Sequence, residues 1–312
     1  MAKVLAIGTF PEQERAALQE AFATAFLEDP AELADLPAET RAQVAAVALR
    51  TVAAIGGAAM DLLPQLGLIA SYGVGYDQID LVAATARGVA VTNTPDVLND
   101  DVADLAVAML LMQGRRMEAA SAWMRAGRWA SDGPFALNRR VSGGRAGILG
   151  LGRIGREIAD RLAAFKMQIH YHSRHEKQTP GWTYHADPVA LAAAVDFLFV
   201  AVVGGAETEG LVSAEVIAAL GARGVLINIA RGSVVDEAAL LDALEAGRLG
   251  GAGLDVFRNE PVIDPRFYAL PNVVLQPHQA SATVETRGAM ARLQRDNLAA
   301  YLAGTPLPTP VA

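Results

Sequence analysis

The stretch AGILGLGRIG at residues 146–155 joins a short apolar run to three glycines at fixed spacing. In this spacing Gly150 allows a tight turn, Gly152 allows the backbone to approach a pyrophosphate, and Gly155 allows a helix and a strand to pack closely. The amphipathic segment that follows predicts a helix, whose N-terminal N–H groups would face the phosphates. A lone G-x-G-x-x-G is a weak signal, but a strand before it and a helix after it indicate a dinucleotide site.

Five further apolar runs follow, most of them separated by helical segments. The six predicted strands are residues 146–149, 167–172, 195–203, 224–230, 251–257 and 273–276. Ser213 and Asp236 are predicted to cap two of the helices between them. Fully apolar strands that alternate with helices are typical of a parallel sheet covered on both faces. The pattern therefore predicts an α/β protein with a doubly wound, parallel-sheet dinucleotide-binding domain.

The first hundred residues repeat this alternation less regularly. Strand-like runs at residues 4–7, 44–49, 66–70 and 89–92 predict a second, smaller α/β domain. A helical segment at 284–302 comes too late in the chain for the six-strand unit, so we expect it to return to the first domain. The predicted domains are residues 1–98 with 284–312, and residues 99–283, with a cleft between them.

Composition narrows the classes of function. The 34 acidic residues exceed the 26 basic ones, giving a formal net charge of −8, and no long Lys/Arg block occurs. Nucleic acid is therefore not an expected partner. The chain has no cysteine, which excludes disulfides, thiolate metal sites and a cysteine nucleophile. We see no signal peptide, no membrane-spanning run and no metal-ligand spacing, so we expect a cytoplasmic protein with neither metal nor membrane partner.

The residues after the second strand of the six indicate the cofactor. NAD-binding domains place a carboxylate about twenty residues past the glycines, on the ribose 2′-hydroxyl. Here that place holds Ser173 and Arg174, with Lys177 nearby and Glu176 as the only acid. A hydroxyl and a guanidinium would bind a 2′-phosphate, which a carboxylate would repel. We predict NADP(H) as the preferred cofactor and NAD(H) as a weaker one; the alternative is that these residues form only a solvated turn.

Polar side chains follow three successive strands, at the edge where open α/β sheets bind ligands. They are Arg231, Glu260 and His278. Arg231 could clamp the carboxylate of a 2-oxo acid, and His278 could donate the proton to its carbonyl oxygen. Glu260 would orient the imidazole and favour its charged form. Taken singly, Arg231 could simply form a surface ion pair, and His278 could have only a structural role.

Six stretches together resemble the D-isomer-specific 2-hydroxyacid dehydrogenase family, over essentially the whole chain. Within the family, the chain is most similar to glyoxylate/hydroxypyruvate and hydroxyphenylpyruvate reductases, and residues 171–174 resemble their NADPH-using members. The stretches are residues 71–77 (SYGVGYD), 92–97 (TNTPDV), 147–155 (GILGLGRIG), 228–232 (NIARG), 254–257 (LDVF) with 260–261 (EP), and 277–278 (PH).

The resemblance implies a catalytic set of Arg231, Glu260 and His278, and a substrate site that adds the backbone of Val74 and Gly75 to Arg231 and His278. It also implies that the smaller domain is flavodoxin-like and that the protein is a homodimer built through the region around residues 117–140. Asp255 would lie near the nicotinamide carboxamide and Arg153 beside the pyrophosphate. The full predicted cofactor-binding set is Gly150, Leu151, Gly152, Arg153, Ile154, Gly155, Ser173, Arg174, Lys177, Val203, Thr208, Ala230 and Asp255.

The chain departs from the family pattern at two places. Residues 203–206 (VGGA) replace a turn that usually carries proline and leucine beside the cofactor, and Arg258 stands where an acid is usual. We expect a reductase that converts glyoxylate or hydroxypyruvate into a D-2-hydroxy acid; a bulkier aromatic 2-oxo acid is the runner-up. Two other functions stay open: a dinucleotide-sensing regulator of corepressor type, and a dehydrogenase of another small anion such as formate or phosphite.

Overall fold

The computed structural model describes residues 3–50 and 53–311, which contain two parallel β-sheets. The chain divides into two compact units: residues up to Leu98 together with those from Thr283 onward, and residues Asn99–Ala282. Each unit has one of the two sheets.

The sheet of the first unit has five parallel strands in the order β2-β1-β3-β4-β5. This is the order of flavodoxin-like doubly wound folds. The smaller domain was predicted with four strands, and the three-residue β2 is the additional one. The strands are β1 (Val4–Gly8), β2 (Ala25–Leu27), β3 (Ala46–Arg50), β4 (Leu68–Ser71) and β5 (Ala90–Thr92).

The sheet of the second unit has seven parallel strands in the order β12-β11-β10-β9-β6-β7-β8. The chain reverses its direction of winding between β6 and β9, as in dinucleotide-binding domains. Six of these strands were predicted, and the two-residue β8 is the seventh. The strands are β6 (Arg145–Leu149), β7 (Gln168–His172), β8 (Thr183–Tyr184), β9 (Phe197–Val200), β10 (Val225–Asn228), β11 (Gly251–Leu254) and β12 (Val273–Leu275).

Helices cover both sheets, and short 3₁₀ turns join several elements. Strands β9, β10 and β11 are buried along their whole length, which explains why their sequences are apolar without alternation. The helices are α1 (Glu12–Phe22), α2 (Ala38–Arg41), α3 (Gly57–Asp61), α4 (Leu81–Ala86), α5 (Asn99–Arg115), α6 (Met117–Arg125), α7 (Arg128–Asp132), α8 (Arg153–Ala164), α9 (Pro188–Ala194), α10 (Ala214–Leu220), α11 (Glu237–Glu245) and α12 (Val284–Ala303).

The C-terminal helix α12 packs on the sheet of the first unit. Gln294 is buried and its Nε2 donates to the carbonyl of Ala70 at 2.7 Å, while Leu298 is fully buried. Within residues 3–50 and 53–311, no helix is long and apolar enough to cross a membrane.

The two predicted helix caps behave differently. Asp236 accepts a hydrogen bond from Ala239 N–H and so caps α11, as predicted. The prediction for Ser213 is wrong: it occupies the N-cap position of α10, but its hydroxyl lies 2.6 Å from a carboxylate oxygen of Glu215 and makes no cap bond. A strong acceptor two residues away competes for the serine side chain.

Candidate active site

The three glycines of the phosphate loop occupy positions with different space around them. Gly150 has φ +102°, and a Cβ there would lie 2.7 Å from the carbonyl oxygen of Ala201. A Cβ on Gly155 would lie 2.1 Å from the carbonyl oxygen of Gly150, so α8 packs directly on the loop. Gly152, by contrast, has no heavy atom within 4 Å of its Cβ position. Gly150 and Gly155 therefore serve the fold, while Gly152 leaves open space for a ligand.

That open space borders a cavity of about 380 Å³ at the start of α8. The helix begins at Arg153, directly after Gly152, so its N-terminal backbone and positive dipole end lie at the cavity. These features fit the pyrophosphate of a dinucleotide. The lining residues are Asn99, Leu151, Gly152, Arg153, Arg156 and Glu157.

The loop after β7 carries the residues predicted to bind a 2′-phosphate. The Arg174 side chain is almost fully exposed, and its Nη1 lies 3.9 Å from a carboxylate oxygen of Glu207, itself exposed. Ser173 donates from its hydroxyl to the carbonyl of His175 at 2.6 Å, and Lys177 is anchored through its backbone N–H and carbonyl to the Tyr171 hydroxyl. The loop is thus held by its backbone and presents the guanidinium outward.

Three further predicted cofactor residues, Val203, Thr208 and Ala230, follow strands β9 and β10. Thr208 donates from its hydroxyl to the carbonyl of Val203 at 2.7 Å, which closes the VGGA loop on itself. Ala230 is buried, and its N–H donates to Oδ1 of Asn228. These contacts fix the loops; that the loops bind a cofactor stays a prediction, as it does for Ile154, which is half-buried in α8.

Glu260 and His278 are in direct contact, as the sequence predicted for a catalytic pair. Nδ1 of His278 lies 2.6 Å from Oε2 of Glu260, and the other carboxylate oxygen accepts the N–H of Phe257 at 2.9 Å. The glutamate is therefore fixed by its own loop and in turn fixes the imidazole ring. Nε2 of His278 is the nitrogen left to meet a substrate.

The charge on Glu260 suits this role. Burial acts to raise its pKa, but the hydrogen bond with His278, the charge of that imidazole and the guanidinium of Arg231 hold the pKa below its usual value. The carboxylate is ionised near neutral pH and stabilises an imidazolium beside it. Arg258, which stands where the family usually has an acid, pairs with Glu209 at 2.7 Å, away from the imidazole.

Arg231 stands at the end of β10, in a turn that Asn228 shapes. Nδ2 of Asn228 donates to the carbonyl of Arg231 at 2.9 Å, and the guanidinium Nη1 donates to the carbonyl of Ala230 at 2.8 Å. A Cβ on Gly232 would lie 1.9 Å from the backbone of Phe257, so this turn packs against the loop that leads to Glu260. Sequence reasoning missed Asn228 and Gly232, although both flank Arg231 in the stretch NIARG.

Asp255 has a role that the sequence did not reveal. Its two carboxylate oxygens accept the N–H groups of Gln279 at 2.8 Å and Ala280 at 2.9 Å, and its carbonyl accepts the N–H of His278 at 2.8 Å. Burial raises the pKa of this carboxyl, although the two N–H groups oppose the shift. Asp255 holds His278 in a left-handed conformation, φ +50°, that costs a non-glycine residue about 1–3 kcal/mol. Its predicted contact with the nicotinamide carboxamide stays a prediction.

Val74 and Gly75 lie in the first unit, in a loop held at several points. Gly73 has φ +133°, and its N–H donates to the Thr94 hydroxyl at 3.0 Å. The carbonyl of Val74 accepts a hydrogen bond from Nδ2 of Asn93 at 2.9 Å. Such a glycine-flanked loop can present backbone N–H groups to an anion. That these amides join Arg231 and His278 in one substrate site stays a prediction.

No group of three or more side chains among residues 3–50 and 53–311 has the arrangement needed to hold a metal ion. The imidazole, the carboxylates and the guanidinium described above are groups of this site that can bind an anion or move a proton. Together they suit proton transfer to an anionic substrate beside a bound dinucleotide.

Comparisons with known proteins identify the family and relatives of this chain. Residues 107–280 match the model of the D-isomer specific 2-hydroxyacid dehydrogenase NAD binding domain. The chain is 50% identical over 252 residues to a hydroxyphenylpyruvate reductase of Plectranthus scutellarioides, covering 81% of this chain and 80% of the relative. It is 46% identical over 271 residues to a 2-ketogluconate reductase of Gluconobacter oxydans, covering 85% and 87%.

Among solved structures, one similar protein is an NADPH-dependent glyoxylate/hydroxypyruvate reductase of Sinorhizobium meliloti in complex with NADP and malonate. The TM-score is 0.94 at 45% identity, over 100% of this chain and 97% of that one.

Proposed function

The chain belongs to the D-isomer specific 2-hydroxyacid dehydrogenase family, and on that premise we propose that it reduces small 2-oxo acids to D-2-hydroxy acids with NADP(H) preferred over NAD(H). The observation that carries the proposal is the 2.6 Å contact between Nδ1 of His278 and Oε2 of Glu260. This contact fixes the ring of the proton donor, His278, and places the carboxylate of Glu260 beside it as a charge partner. Glyoxylate and hydroxypyruvate are the first substrates to test.

The residues of this chain hold the substrate and move its proton. Arg231 binds the carboxylate of the 2-oxo acid, and the backbone N–H groups of Val74 and Gly75 share that negative charge. Nε2 of His278, protonated, donates its proton to the carbonyl oxygen, and Glu260 stabilises the charge on the ring before the transfer. The imidazole then recovers a proton from solvent. When bound, the reduced dinucleotide supplies the hydride that the carbonyl carbon accepts.

The dinucleotide would lie along the loops at the carboxyl ends of β6, β7 and β9. The open space at Gly152 and the start of α8 fit the pyrophosphate, and the outward guanidinium of Arg174 fits a 2′-phosphate. Glu207 lies 3.9 Å from that guanidinium, and because both side chains are exposed, this ion pair contributes little and a phosphate can displace it. The relative from S. meliloti, which holds NADP, supports this assignment.

We also propose which part of the chain binds each ligand, how the protein assembles and where in the cell it is located. Residues 1–98 with 284–312 bind the substrate, residues 99–283 bind the dinucleotide, and the protein is a homodimer. Three large apolar side chains near 117–140 support the dimer: Met124, Trp129 and Leu137 are 54%, 62% and 99% exposed. Sedimentation of the wild type and of Leu137→Asp tests it. The cytoplasmic location and the lack of a nucleic-acid partner stay predictions, to be tested by cell fractionation and by a DNA-binding assay.

The function is tested by initial rates of NADPH oxidation with glyoxylate and with hydroxypyruvate. We expect turnover, and we expect His278→Ala to reduce kcat by about 10²–10⁴-fold, the usual contribution of a positioned acid. His170→Ala, a half-buried histidine on β7, serves as the matched control and should retain the rate. Tight dinucleotide binding without turnover of either acid would favour a sensor of corepressor type instead.

A further inference from the structure

Two arginines flank one tyrosine at the carboxyl edge of the sheet in the first unit. Arg50 is the last residue of β3, and Tyr72 directly follows β4, the neighbouring strand. The guanidinium carbon of Arg50 lies 4.9 Å from the centroid of the Tyr72 ring, and that of Arg287 lies 5.8 Å from it. The aromatic ring thus holds two cations at one edge of the sheet.

Hydrogen bonds fix this arrangement. Nη1 of Arg50 donates to the carbonyl of Thr9 at 2.7 Å, and the Tyr72 hydroxyl donates to the carbonyl of Arg287 at 3.0 Å. The backbone N–H of Tyr72 donates to the carbonyl of Leu49 at 2.8 Å, which keeps the two strand ends together. The guanidinium of Arg50 is therefore held by the backbone of Thr9, and the ring of Tyr72 is held by the backbone of Arg287.

The charges in this cluster are only partly balanced by acids. Among residues 3–50 and 53–311, neither guanidinium forms an ion pair with a carboxylate, and Glu14 is paired with Arg295. Burial lowers the pKa of Arg50 and the charge of Arg287 adds to the shift, while electrostatic interactions with Tyr72 and Glu14 oppose it. Arg287 also stands in the first turn of α12, where the helix dipole disfavours a cation.

The cluster adjoins the loop proposed to hold the substrate. Tyr72 is followed directly by Gly73 and then by Val74 and Gly75, and adjacent strands lie about 4.8 Å apart. Arg50 and the loop that begins after Tyr72 therefore stand at the same edge of the sheet, at the ends of two neighbouring parallel strands. An arrangement that costs stability and adjoins a binding loop is expected to serve binding.

We propose that Arg50 and Arg287, held by Tyr72, bind a hydrogen-bond-accepting substituent at the far end of the substrate. This rests on the proposed function and narrows it to 2-oxo acids that carry a hydroxyl or a carboxylate beyond the carbonyl carbon. A guanidinium has donors only, so an alkyl or aryl substituent would leave these donors unpaired. The preference for a hydroxyl or a carboxylate over an alkyl group follows from hydrogen bonding. A carboxylate would add a bidentate contact with a guanidinium.

Four acids that differ in a single group test the proposal: pyruvate, 2-oxobutyrate, hydroxypyruvate and oxaloacetate. They carry hydrogen, methyl, hydroxyl and carboxylate on the same carbon. We expect kcat/KM of the wild type for hydroxypyruvate or oxaloacetate to exceed that for 2-oxobutyrate by about tenfold or more, the effect of one hydrogen bond to a charged group. The order of hydroxypyruvate and oxaloacetate then tells whether hydroxyls or a second anion are favoured.

Arg50→Met and Arg287→Met should each bring these ratios toward one, and Arg50→Lys should restore part of the difference. Arg15→Met is the matched control, because Arg15 also lies over an aromatic ring, 4.2 Å from Phe26, but pairs with Glu28. Retention of the ratios in both Arg50→Met and Arg287→Met, or an equal or higher kcat/KM for 2-oxobutyrate in the wild type, overturns the proposal.

Calorimetric binding of the same acids to the protein with NADP⁺ separates this inference from the proposed function. If no acid is reduced, but hydroxypyruvate and oxaloacetate bind more tightly than 2-oxobutyrate and lose that advantage in Arg50→Met, the binding site stands and the reductase does not. If acids are reduced without any such preference, the reductase stands and this site does not.

Discussion

Replacement of Glu260 by glutamine removes the charge beside His278 while it keeps the shape of the side chain. The amide oxygen of glutamine still accepts a hydrogen bond from Nδ1, so the ring can keep its orientation. What is lost is the stabilisation of the imidazolium by the carboxylate 2.6 Å away. Since the reductive reaction needs the protonated ring, we expect activity to be lost at lower pH than in the wild type.

The size of this shift follows from the geometry. A hydrogen bond to a charged group contributes about 1.5–3 kcal/mol. Because the side chain of His278 is 41% exposed, solvent screens part of the attraction, and we take the lower end. About 1.4 kcal/mol corresponds to about one pH unit. The alkaline midpoint of kcat/KM for glyoxylate reduction should therefore move down by about one unit, with a smaller change on the acid plateau.

The assay is the pH dependence of kcat/KM with NADPH, for the wild type, Glu260→Gln and the control Glu245→Gln. Glu245 also lies near a cation, 3.9 Å from Arg266, but outside the site. The control should reproduce the wild-type profile. A Glu260→Gln profile that is lower at every pH, with an unchanged midpoint, would refute the electrostatic role and leave only a structural one.

Two further predictions concern the glycine loop and acid stability. Gly155→Ala should lower the free energy of unfolding in urea by about 1–3 kcal/mol or more, because the added methyl overlaps the Gly150 carbonyl. Gly152→Ala should unfold like the wild type but bind the dinucleotide more weakly. The hydrogen bond from Arg145 lowers the pKa of Asp196, although burial opposes this shift. The ionised Asp196 therefore stabilises the fold at pH values above its unfolded pKa of about 3.9. That stabilisation is lost as the pH falls through the pKa of Asp196 in the folded protein. Asp196→Asn should therefore cost about 1 kcal/mol at pH 7, and the difference from the wild type in urea melts should shrink below about pH 4; a constant difference would contradict the assignment.

The strands of the second sheet were predictable because they are buried on both faces. Their sequences are continuous apolar runs bounded by glycine and polar residues, which periodicity alone detects. The two strands that sequence reasoning missed, Ala25–Leu27 and Thr183–Tyr184, lie at sheet edges and have only three and two residues. Such short, partly exposed segments carry no apolar run to recognise.

The contact between Glu260 and His278 was predictable because both follow parallel strands at the same edge of one sheet. The function of Asp255 was not, since its carboxylate binds backbone N–H groups 24 and 25 residues further along the chain. The same holds for Arg50, Tyr72 and Arg287. The tyrosine and the second arginine are 215 residues apart in sequence and meet only through α12, so no local pattern relates them.

The most direct test of the account is the ratio of kcat/KM for NADPH to that for NADH, measured with glyoxylate and with hydroxypyruvate. We predict turnover with both cofactors and a preference for NADPH of about tenfold or more, about 1.4 kcal/mol. Arg174→Ala should reduce this ratio. An equal or higher kcat/KM with NADH would contradict the 2′-phosphate site while the reductase stands, and no turnover with either cofactor would contradict the central claim itself.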